Sequence, residues 1–326
     1  MWKLRGYPRT VERLKKVTPQ SLPCAYLILG PPHTGKTTLA LDFACLMNCE
    51  GKERPCGSCH SCCRITSGKH PDVVVIKALE GKEEVGIDQI RGMEREAFIP
   101  PFEGIAKTFI IQERLSLEAA NSLLKTLEEP PPKVLFILTS SHREALPLTI
   151  LSRCSQVELC PLPFSVVQEE LEDRGVPEDR ARLLAHLSGG RIGWAMSALR
   201  DEGVVSRREE VLKDLVRRVE LSTGQRLRDL NIPRNLDELL NLWEELWRDV
   251  LLFQARVPDF IRSLDMMPEI KHAASKLKLS QVVHFLLLLS KARENLKKNA
   301  NPRISLELLL INMPRLEEKV GRVHQA

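Results

Sequence analysis

A phosphate-binding pattern near the start of the chain holds the residues with the clearest chemistry. The segment Gly30–Thr37 fits G-x-x-x-x-G-K-[ST], with an apolar run Tyr26–Leu29 before it and a helical pattern Thr38–Ala44 after it. In such a loop the backbone N–H groups and the following helix N-terminus face phosphate oxygens. Lys36 would reach the β- and γ-phosphates, and Thr37 would offer its hydroxyl to Mg²⁺. The alternative is a loop that keeps this shape without binding. The predicted nucleotide-binding residues are Gly30, Thr34, Gly35, Lys36, Thr37 and Thr38.

A later strand lacks the acidic residue that a hydrolytic site of this kind uses. Cleavage with Mg²⁺ needs one carboxylate near the metal and another group to orient water. The apolar run Phe109–Ile111 leads instead into Gln112 and Glu113. Glutamine is neutral and a poor Mg²⁺ ligand, while Glu113 either polarises water or is a surface residue paired with Arg114. We therefore expect ATP or ADP, with Mg²⁺ or without it, to be bound but hydrolysed weakly or not at all.

Four cysteines that follow the helix of the loop form a second candidate site. Cys49, Cys56, Cys59 and Cys62 have the spacing C-x6-C-x2-C-x2-C. The two-residue gaps let neighbouring thiolates turn back onto one ion, and four thiolates without histidine suit structural Zn²⁺. Cys63 directly follows Cys62 and is expected to point elsewhere, although it is an alternative ligand.

Apolar runs that alternate with helical patterns predict an α/β fold around these sites. Continuous apolar runs separated by helices are typical of a parallel sheet covered on both faces. The segment Ser116–Leu127 predicts a helix that Ser116 caps and Pro130-Pro131-Pro132 ends. The predicted strands are Tyr26–Leu29, Val73–Ile76, Thr108–Ile111 and Val134–Thr139.

Helical patterns alone follow Pro161. Residues 164–200 predict short helices broken at Gly175–Pro177 and at Gly189-Gly190, and from about residue 205 the pattern is one of long amphipathic helices. The apolar faces of those helices, with Trp243 and Trp247, fit burial in a core or in an interface equally well. We predict three domains: 1–160 with a zinc module inserted at 49–63, a small helical domain at 161–204, and a helical bundle at 205–326.

The bulk composition excludes a membrane-spanning protein. The net charge is +5, hydrophobic residues make up 43% and charged residues 28%. No stretch approaches the roughly 18 apolar residues of a membrane span, and the N-terminus lacks a signal-peptide pattern. We therefore expect a cytoplasmic protein, and the mildly basic charge by itself does not indicate nucleic-acid binding.

Several segments together resemble the bacterial clamp-loader subunits of the replicative DNA polymerase III holoenzyme, which are AAA+ proteins. The match covers nearly the whole chain, and Asn121–Pro131 and Ser152-Arg153-Cys154 are more specific than the phosphate loop. The segments that carry the resemblance are Gly30–Thr37, the four cysteines, His70-Pro71-Asp72, Asn121–Pro131, Leu148–Cys154, Asn299–Arg303 and Leu306–Leu310.

This resemblance implies an AAA+ nucleotide-binding domain, a small helical lid domain and an all-α C-terminal collar domain. The chain is most similar to the delta-prime type, whose members often lack a working catalytic strand. Its implied partners are delta and gamma/tau subunits in a hetero-oligomeric ring, the sliding clamp, and primed DNA through the complex, with no membrane. Arg153 would be an arginine finger that acts in trans on ATP held by the neighbouring subunit. The alternative for Arg153 is a local salt bridge.

The resemblance also locates two sensor positions and leaves two alternative functions. The nucleotide-sensing arginine of the family would fall near Trp194, with Arg191 close by, and Thr139-Ser140 occupies the other sensor position. One alternative is the ATP-hydrolysing gamma/tau motor subunit, against which Gln112 argues. The other is a different AAA+ ATPase associated with nucleic acid, such as a helicase loader. The cysteine cluster and Asn121–Pro131 argue against that alternative.

Overall fold

The computed structural model describes residues 2–17, 25–82, 84–112, 114–201, 203–228, 236–298 and 300–315. Glu113 and Asn299, which the sequence analysis singled out, lie outside these ranges. The chain divides into two compact units. The first contains residues 1–177 and 190–194, and the second contains residues 178–189 and 195–326. The division into three domains expected from the sequence remains a prediction.

A parallel sheet forms the centre of the first unit and confirms the predicted α/β class. The five strands have the order β2-β4-β6-β1-β7, and every neighbouring pair is parallel. A separate two-stranded sheet pairs β3 with β5. The strands are β1 Ala25–Leu29, β2 Val73–Ile76, β3 Glu84–Val85, β4 Lys107–Gln112, β5 Arg114–Leu115, β6 Val134–Ser140 and β7 Ser155–Glu158.

Helices cover both faces of this sheet, which explains the continuous apolar runs in the strands. Alternate residues of one strand enter opposite layers: Phe109 and Ile111 pack in one core, and Ile110 packs in the other. The predicted cap is confirmed, because the Ser116 hydroxyl accepts a 3.2 Å hydrogen bond from the N–H of Ala119. The helices are α1 Pro8–Lys15, α2 Lys36–Asn48, α3 His60–Thr66, α4 Ile87–Ala97, α5 Leu117–Glu128, α6 Leu148–Arg153 and α7 Phe164–Glu172.

Strand register brings the functional segments to one edge of the sheet. In the β4–β6 pair Gln112 lies opposite Thr139, and in the β1–β6 pair Leu29 lies opposite Ser140. These residues end or nearly end their strands, so the carboxyl ends of β1, β4 and β6 meet at that edge. Ligands of open parallel sheets bind at such an edge, and the phosphate loop begins there at Gly30.

Asp72 anchors the loop that leads into β4. Its buried carboxylate accepts hydrogen bonds from the N–H groups of Phe102, Glu103 and Gly104, at 2.6, 2.9 and 2.7 Å. Burial by itself would raise the pKa of this carboxyl, but the three N–H donors hold the pKa below its ordinary value. His70 is also buried, and its Nδ1 accepts from the N–H of Asp72 at 3.2 Å. The His70-Pro71-Asp72 motif therefore fixes backbone at this turn.

The second unit is helical in its described part. Trp243 and Trp247 are 2% and 3% exposed, and the Trp247 ring lies 5.0 Å from that of Phe285. Of the two alternatives for these tryptophans, burial in the core of the unit is the observed one. The helices are α8 Glu178–Ser188, α9 Ile192–Arg200, whose first turn belongs to the first unit, α10 Gly203–Glu220, α11 Thr223–Arg228, α12 Leu236–Gln254, α13 Met267–Lys276, α14 Leu279–Lys297 and α15 Pro302–Asn312.

A buried arginine joins three of these helices. Arg226 in α11 is 1% exposed. Its guanidinium donates to the carbonyl of Val219 in α10 at 3.0 Å and to the carbonyls of Leu310 and Met313, at 3.3 and 2.7 Å, at the end of α15. Carbonyls at helix ends lack partners within the helix, so a single cation satisfies two helix ends at once.

Among the residues that the structure describes, none of the helices is both long enough and apolar enough to cross a membrane.

Candidate functional site

The phosphate loop connects β1 to α2 with backbone angles that favour glycine at two positions. Gly30 has φ +151° and Gly35 has φ +99°. A side chain at residue 30 would place its Cβ 2.3 Å from the carbonyl oxygen of Leu159, so only glycine fits there. His33 also adopts a positive φ of 64°. The predicted residues Gly30, Thr34, Gly35, Lys36, Thr37 and Thr38 thus all lie in this loop and the first turn of α2.

Lys36 lies across this loop. Its Nζ donates to the carbonyls of Gly30 and Pro31, at 2.7 and 2.9 Å, and to Oγ of Ser141 at 3.1 Å. The buried Thr34 hydroxyl also donates to the Pro31 carbonyl, at 2.9 Å. Ser141 is a site residue that the sequence analysis missed. The signal that could have found it is its position, directly after β6 at the edge where the loop begins.

Gln112 contacts the residue that would hold a magnesium ion. Its Nε2 donates to Oγ1 of Thr37 at 3.1 Å, and Gln112 is 8% exposed. Magnesium takes oxygen ligands and is bound through carboxylates and phosphates. Here an amide N–H, with its positive partial charge, is directed at the threonine oxygen from the strand that usually supplies the carboxylate. The side chains that the structure describes at this position therefore do not fit Mg²⁺.

The start of α9 contacts the phosphate loop directly. The N–H of Gly193 donates to the carbonyl of His33 at 2.8 Å. A Cβ at residue 193 would lie 2.7 Å from that oxygen, so the close approach needs glycine. Arg191, the arginine nearest the expected sensor position, lies two residues before this contact, and Trp194 lies one residue after it and is half-buried. The segment expected to carry a sensor is therefore adjacent to the loop.

The four predicted cysteines come together at the end of α2 and the start of α3. The sulfur atoms of Cys49, Cys56, Cys59 and Cys62 all lie within 4.8 Å of one another. Four thiolates around one zinc ion, each about 2.3 Å from it, would lie about 3.8 Å apart, so the cluster can hold a metal ion. Cys63 is exposed and is not in the cluster, and its Sγ lies 3.6 Å from the carbonyl of Ser58.

Backbone N–H groups surround these sulfurs. The N–H of Cys56 donates to Sγ of Cys49 at 3.2 Å, and the N–H of Cys62 donates to Sγ of Cys59 at 3.4 Å. Hydrogen bonds from the backbone of Ser58 and Cys59 lower the pKa of Cys56 to about 6, whereas burial raises the pKa of Cys62. Donors aimed at sulfur favour the thiolate, which is the metal-binding form.

Arg153 ends α6 and is paired within the chain. Its Nη1 donates to the carbonyl of Thr149 at 3.0 Å, and its Nη2 forms an ion pair with Oε1 of Glu128, at the end of α5. The side chains of Arg153 and Glu128 are 33% and 50% exposed. The local salt bridge that the sequence left as the alternative is therefore present, and the guanidinium still reaches the surface. Its role as an arginine finger remains a prediction.

Comparisons with known proteins agree with this geometry. A profile of the family described as "DNA polymerase III, delta subunit" matches residues 6–163. The DNA polymerase III subunit delta' of Bacillus subtilis is 30% identical over 321 residues, which cover 93% of this chain and 95% of that protein. Subunit tau of the same organism is 28% identical over 325 residues, which cover 89% of this chain. The chain spans 56% of the length of that tau subunit.

Solved structures of related proteins also align with the chain. A gamma subunit-related protein of DNA polymerase III from Thermotoga maritima covers 95% of this chain and 99% of its own, with 20% identity and a TM-score of 0.45. The clamp loader delta protein of Bacillus subtilis covers 94% and 98%, with 14% identity and a TM-score of 0.36. It is the sequence similarity to delta', extending over almost the full length of both proteins, that decides the assignment. The chain belongs to the family of DNA polymerase III clamp-loader subunits, which are AAA+ proteins.

Proposed function

We propose that this chain is a delta'-type subunit of the clamp loader. It stands in a cytoplasmic ring with delta and gamma/tau subunits and helps to place the sliding clamp on primed DNA. Delta' of Bacillus subtilis is 30% identical to this chain over 321 residues, and Gln112, which stands where a motor subunit carries a carboxylate, favours this role over the motor role. The chain binds ATP or ADP in its own loop and does not hydrolyse ATP at a useful rate.

The single observation that carries the proposal is the hydrogen bond between Gln112 and Thr37. A motor subunit needs a carboxylate at that strand end to hold Mg²⁺. In this chain a buried amide faces the threonine hydroxyl at 3.1 Å. The phosphate loop beside it has the backbone of a binding site. The loop can therefore bind a nucleotide, while Gln112 replaces the carboxylate that hydrolysis needs.

Arg153 supplies the catalytic contribution of the chain in this proposal, at a site in the neighbouring subunit. A guanidinium that enters from a partner stabilises charge on the transferring phosphoryl group, so that cleavage depends on assembly. Two features support this role. Arg153 is one third exposed, and Glu128 together with the Thr149 carbonyl holds its guanidinium in one orientation. Glu128 is a positioning residue in this scheme.

Exposed apolar side chains on the second unit support assembly with other subunits. Leu279, Val283 and Leu287 follow one another at four-residue steps along α14, and Leu287 is 65% exposed. A similar row lies on the adjacent α15, where Ile304 and Leu308 are each 55% exposed. Side chains at such steps share one helix face. Apolar patches of this kind mark interaction surfaces, and here the partners are neighbouring clamp-loader subunits.

Zinc is the metal that we propose for the cysteine cluster. Four thiolates without an open ligand position make a structural rather than a catalytic site. Two of the cysteines, Cys49 and Cys62, are fully buried. Cys49 follows α2 and Cys62 belongs to α3, so the ion would fasten one helix to the other.

The test of this function is hydrolysis by the chain alone and in the reconstituted ring. We expect the purified chain to hydrolyse ATP at the background rate, because Gln112 supplies no metal-binding carboxylate. Addition of the chain to delta and gamma/tau subunits is expected to raise the DNA-stimulated ATPase rate and clamp loading. Turnover by the isolated chain that matches a gamma/tau ring would instead identify it as the motor subunit.

A further inference from the structure

The environment of the Thr37 hydroxyl has a consequence for the ligand of the phosphate loop. We infer that Gln112 makes this loop bind a nucleoside diphosphate or triphosphate without Mg²⁺. The inference rests on the proposed nucleotide-binding site and specifies the form of its ligand. It does not involve Arg153 or any neighbouring subunit.

The direction of the hydrogen bond between Gln112 and Thr37 determines what the Thr37 hydroxyl can do. A threonine hydroxyl has one proton to donate and lone pairs that accept. Gln112 Nε2 donates to Thr37 Oγ1 at 3.1 Å, so the hydroxyl is the acceptor in this contact. Its own proton is then available to a phosphate oxygen. In this arrangement one of the lone pairs that a metal could use is occupied by the amide N–H, and the hydroxyl can serve as a hydrogen-bond donor toward phosphate.

The partial charge of the Gln112 amide also disfavours a magnesium ion at Thr37. A magnesium ion bound to Thr37 would lie about 2.1 Å from its oxygen, close to the amide hydrogens of Gln112, whose partial charge is also positive. Gln112 is 8% exposed and ends β4, which pairs with both β2 and β6. Burial in a central strand restricts the movement of this side chain away from Thr37. The metal is therefore opposed at the position where a carboxylate would attract it.

The remaining groups of the loop replace part of the charge of the metal. Lys36 Nζ contacts the uncharged acceptors Gly30 O, Pro31 O and Ser141 Oγ, and it can exchange such contacts for phosphate oxygens. The N-terminus of α2 begins at Lys36 and adds N–H donors and a favourable dipole. Together with the Thr37 hydroxyl, these groups form a phosphate site made of donors only.

The experiment is a titration of the full chain with a fluorescent ADP and a fluorescent ATP, in excess EDTA and in excess Mg²⁺. For the natural chain we expect Mg²⁺ not to tighten binding, with affinities in the two buffers within about twofold, because Gln112 directs an amide N–H at the Thr37 oxygen in place of a metal-binding carboxylate. Gln112→Asp introduces the missing carboxylate and should make binding about tenfold tighter in Mg²⁺ than in EDTA. Mn²⁺ can replace Mg²⁺ in a parallel electron paramagnetic resonance measurement, where only Gln112→Asp with nucleotide should immobilise the ion.

Two control variants distinguish loss of nucleotide binding from a change in the dependence of binding on Mg²⁺. Lys36→Ala should lose nucleotide in both buffers, and Gln112→Ala removes the amide without adding a carboxylate, so it should gain no dependence on Mg²⁺. Thermal melting checks that each variant is folded. Binding by the natural chain that tightens about tenfold or more with Mg²⁺ overturns the inference and leaves nucleotide binding intact. Absence of binding in both buffers overturns the inference together with the nucleotide site, and leaves the role of Arg153 to its own test in the ring.

Discussion

At the scale of single residues, two contacts between distant positions determine what the chain can do. Gln112 touches Thr37 across 75 residues, and Arg153 pairs with Glu128 across 25 residues. The first contact places an amide N–H, and not a carboxylate, beside the residue of the loop that would hold a metal ion. The second holds a cation at the surface. In the function that we propose, the chain therefore contributes to catalysis at a nucleotide held by another subunit and not at its own.

The pairing with Glu128 yields a prediction about positioning. Glu128→Gln keeps the size of the side chain but removes its charge, so the guanidinium of Arg153 loses its ion pair and its fixed orientation. We expect the ATPase rate of the reconstituted ring to fall severalfold, less than with Arg153→Ala. The double variant should be no slower than Arg153→Ala alone, since the two residues act as a unit. Additive losses in the double variant would contradict the positioning role.

The residue types of the site could be predicted from the sequence, but their partners could not. Spacing identified Lys36, Thr37 and the four cysteines, because those motifs are local. The partners of Gln112 and Arg153 depend on how strands and helices are brought together. Ser141 was missed for the same reason, since its contact with Lys36 exists only through the pairing of β1 with β6.

At the scale of elements, buried polar groups hold loops against the sheet of the first unit. Asp72 is the clearest case, with three backbone donors on one buried carboxylate. In the sequence, His70-Pro71-Asp72 is recognisable only as part of a family resemblance. Its structural role depends on the loop at residues 102–104, whose backbone provides the donors.

Asp72→Asn is predicted to destabilise the fold by about 3 kcal/mol, because the amide NH₂ would face backbone donors and leave them unsatisfied. The pKa of Asp72 lies below its ordinary value of 3.8. Its stabilising effect is therefore fully present above pH 3.8 and is lost as the pH falls through the lower pKa of the folded state. Urea unfolding at several acidic pH values measures both effects.

A matched control for that variant is Asp173→Asn, on an exposed residue of the same unit. It should unfold at nearly the same urea concentration as the natural chain. If Asp72→Asn loses stability on acidification as steeply as the natural chain does, the carboxylate of Asp72 is not the group that titrates.

The cysteine cluster gives a second prediction for an element. Metal analysis should find about one zinc ion per folded chain, the stoichiometry of a four-thiolate site. Cys56→Ser should lower the zinc content and the thermal stability, since the proposed ion would fasten α3 to α2. Cys63→Ser is the matched control, because Cys63 is adjacent in sequence but outside the cluster, and it should keep its zinc. Equal zinc loss in both variants would contradict the assignment of ligands.

The main strands of the first unit could be predicted from the sequence, but strand β7 could not. The apolar strands β1, β2, β4 and β6 were identified because each is buried between helix layers. Strand β7 was missed, since Ser155–Glu158 has the sequence Ser-Gln-Val-Glu and only Val157 is fully buried. This strand pairs only with β1 and contains no apolar run that would reveal it, unlike β2 at the other edge of the sheet, which has the sequence Val-Val-Val-Ile.

At the scale of the whole molecule, the chain has the features of a subunit that works in an assembly. Its loop is suited to hold a nucleotide, its partly exposed arginine is held in place, and rows of exposed apolar residues lie on α14 and α15. The tryptophans of α12, which fitted either a core or an interface by sequence, are in the core. We therefore propose that assembly uses the exposed apolar side chains of α14 and α15.

The central claim is that this chain contributes Arg153 to hydrolysis at a neighbouring site. The most direct measurement is the DNA-stimulated ATPase rate of rings reconstituted with the natural chain, with Arg153→Ala, or with Arg143→Ala as an exposed control arginine. We predict that Arg153→Ala leaves folding and ring assembly intact. It should slow hydrolysis at the neighbouring site that Arg153 faces by about 10³-fold or more, so that the ring loses the contribution of that site. Arg143→Ala should have no effect. An unchanged rate in assembled Arg153→Ala rings would contradict the account.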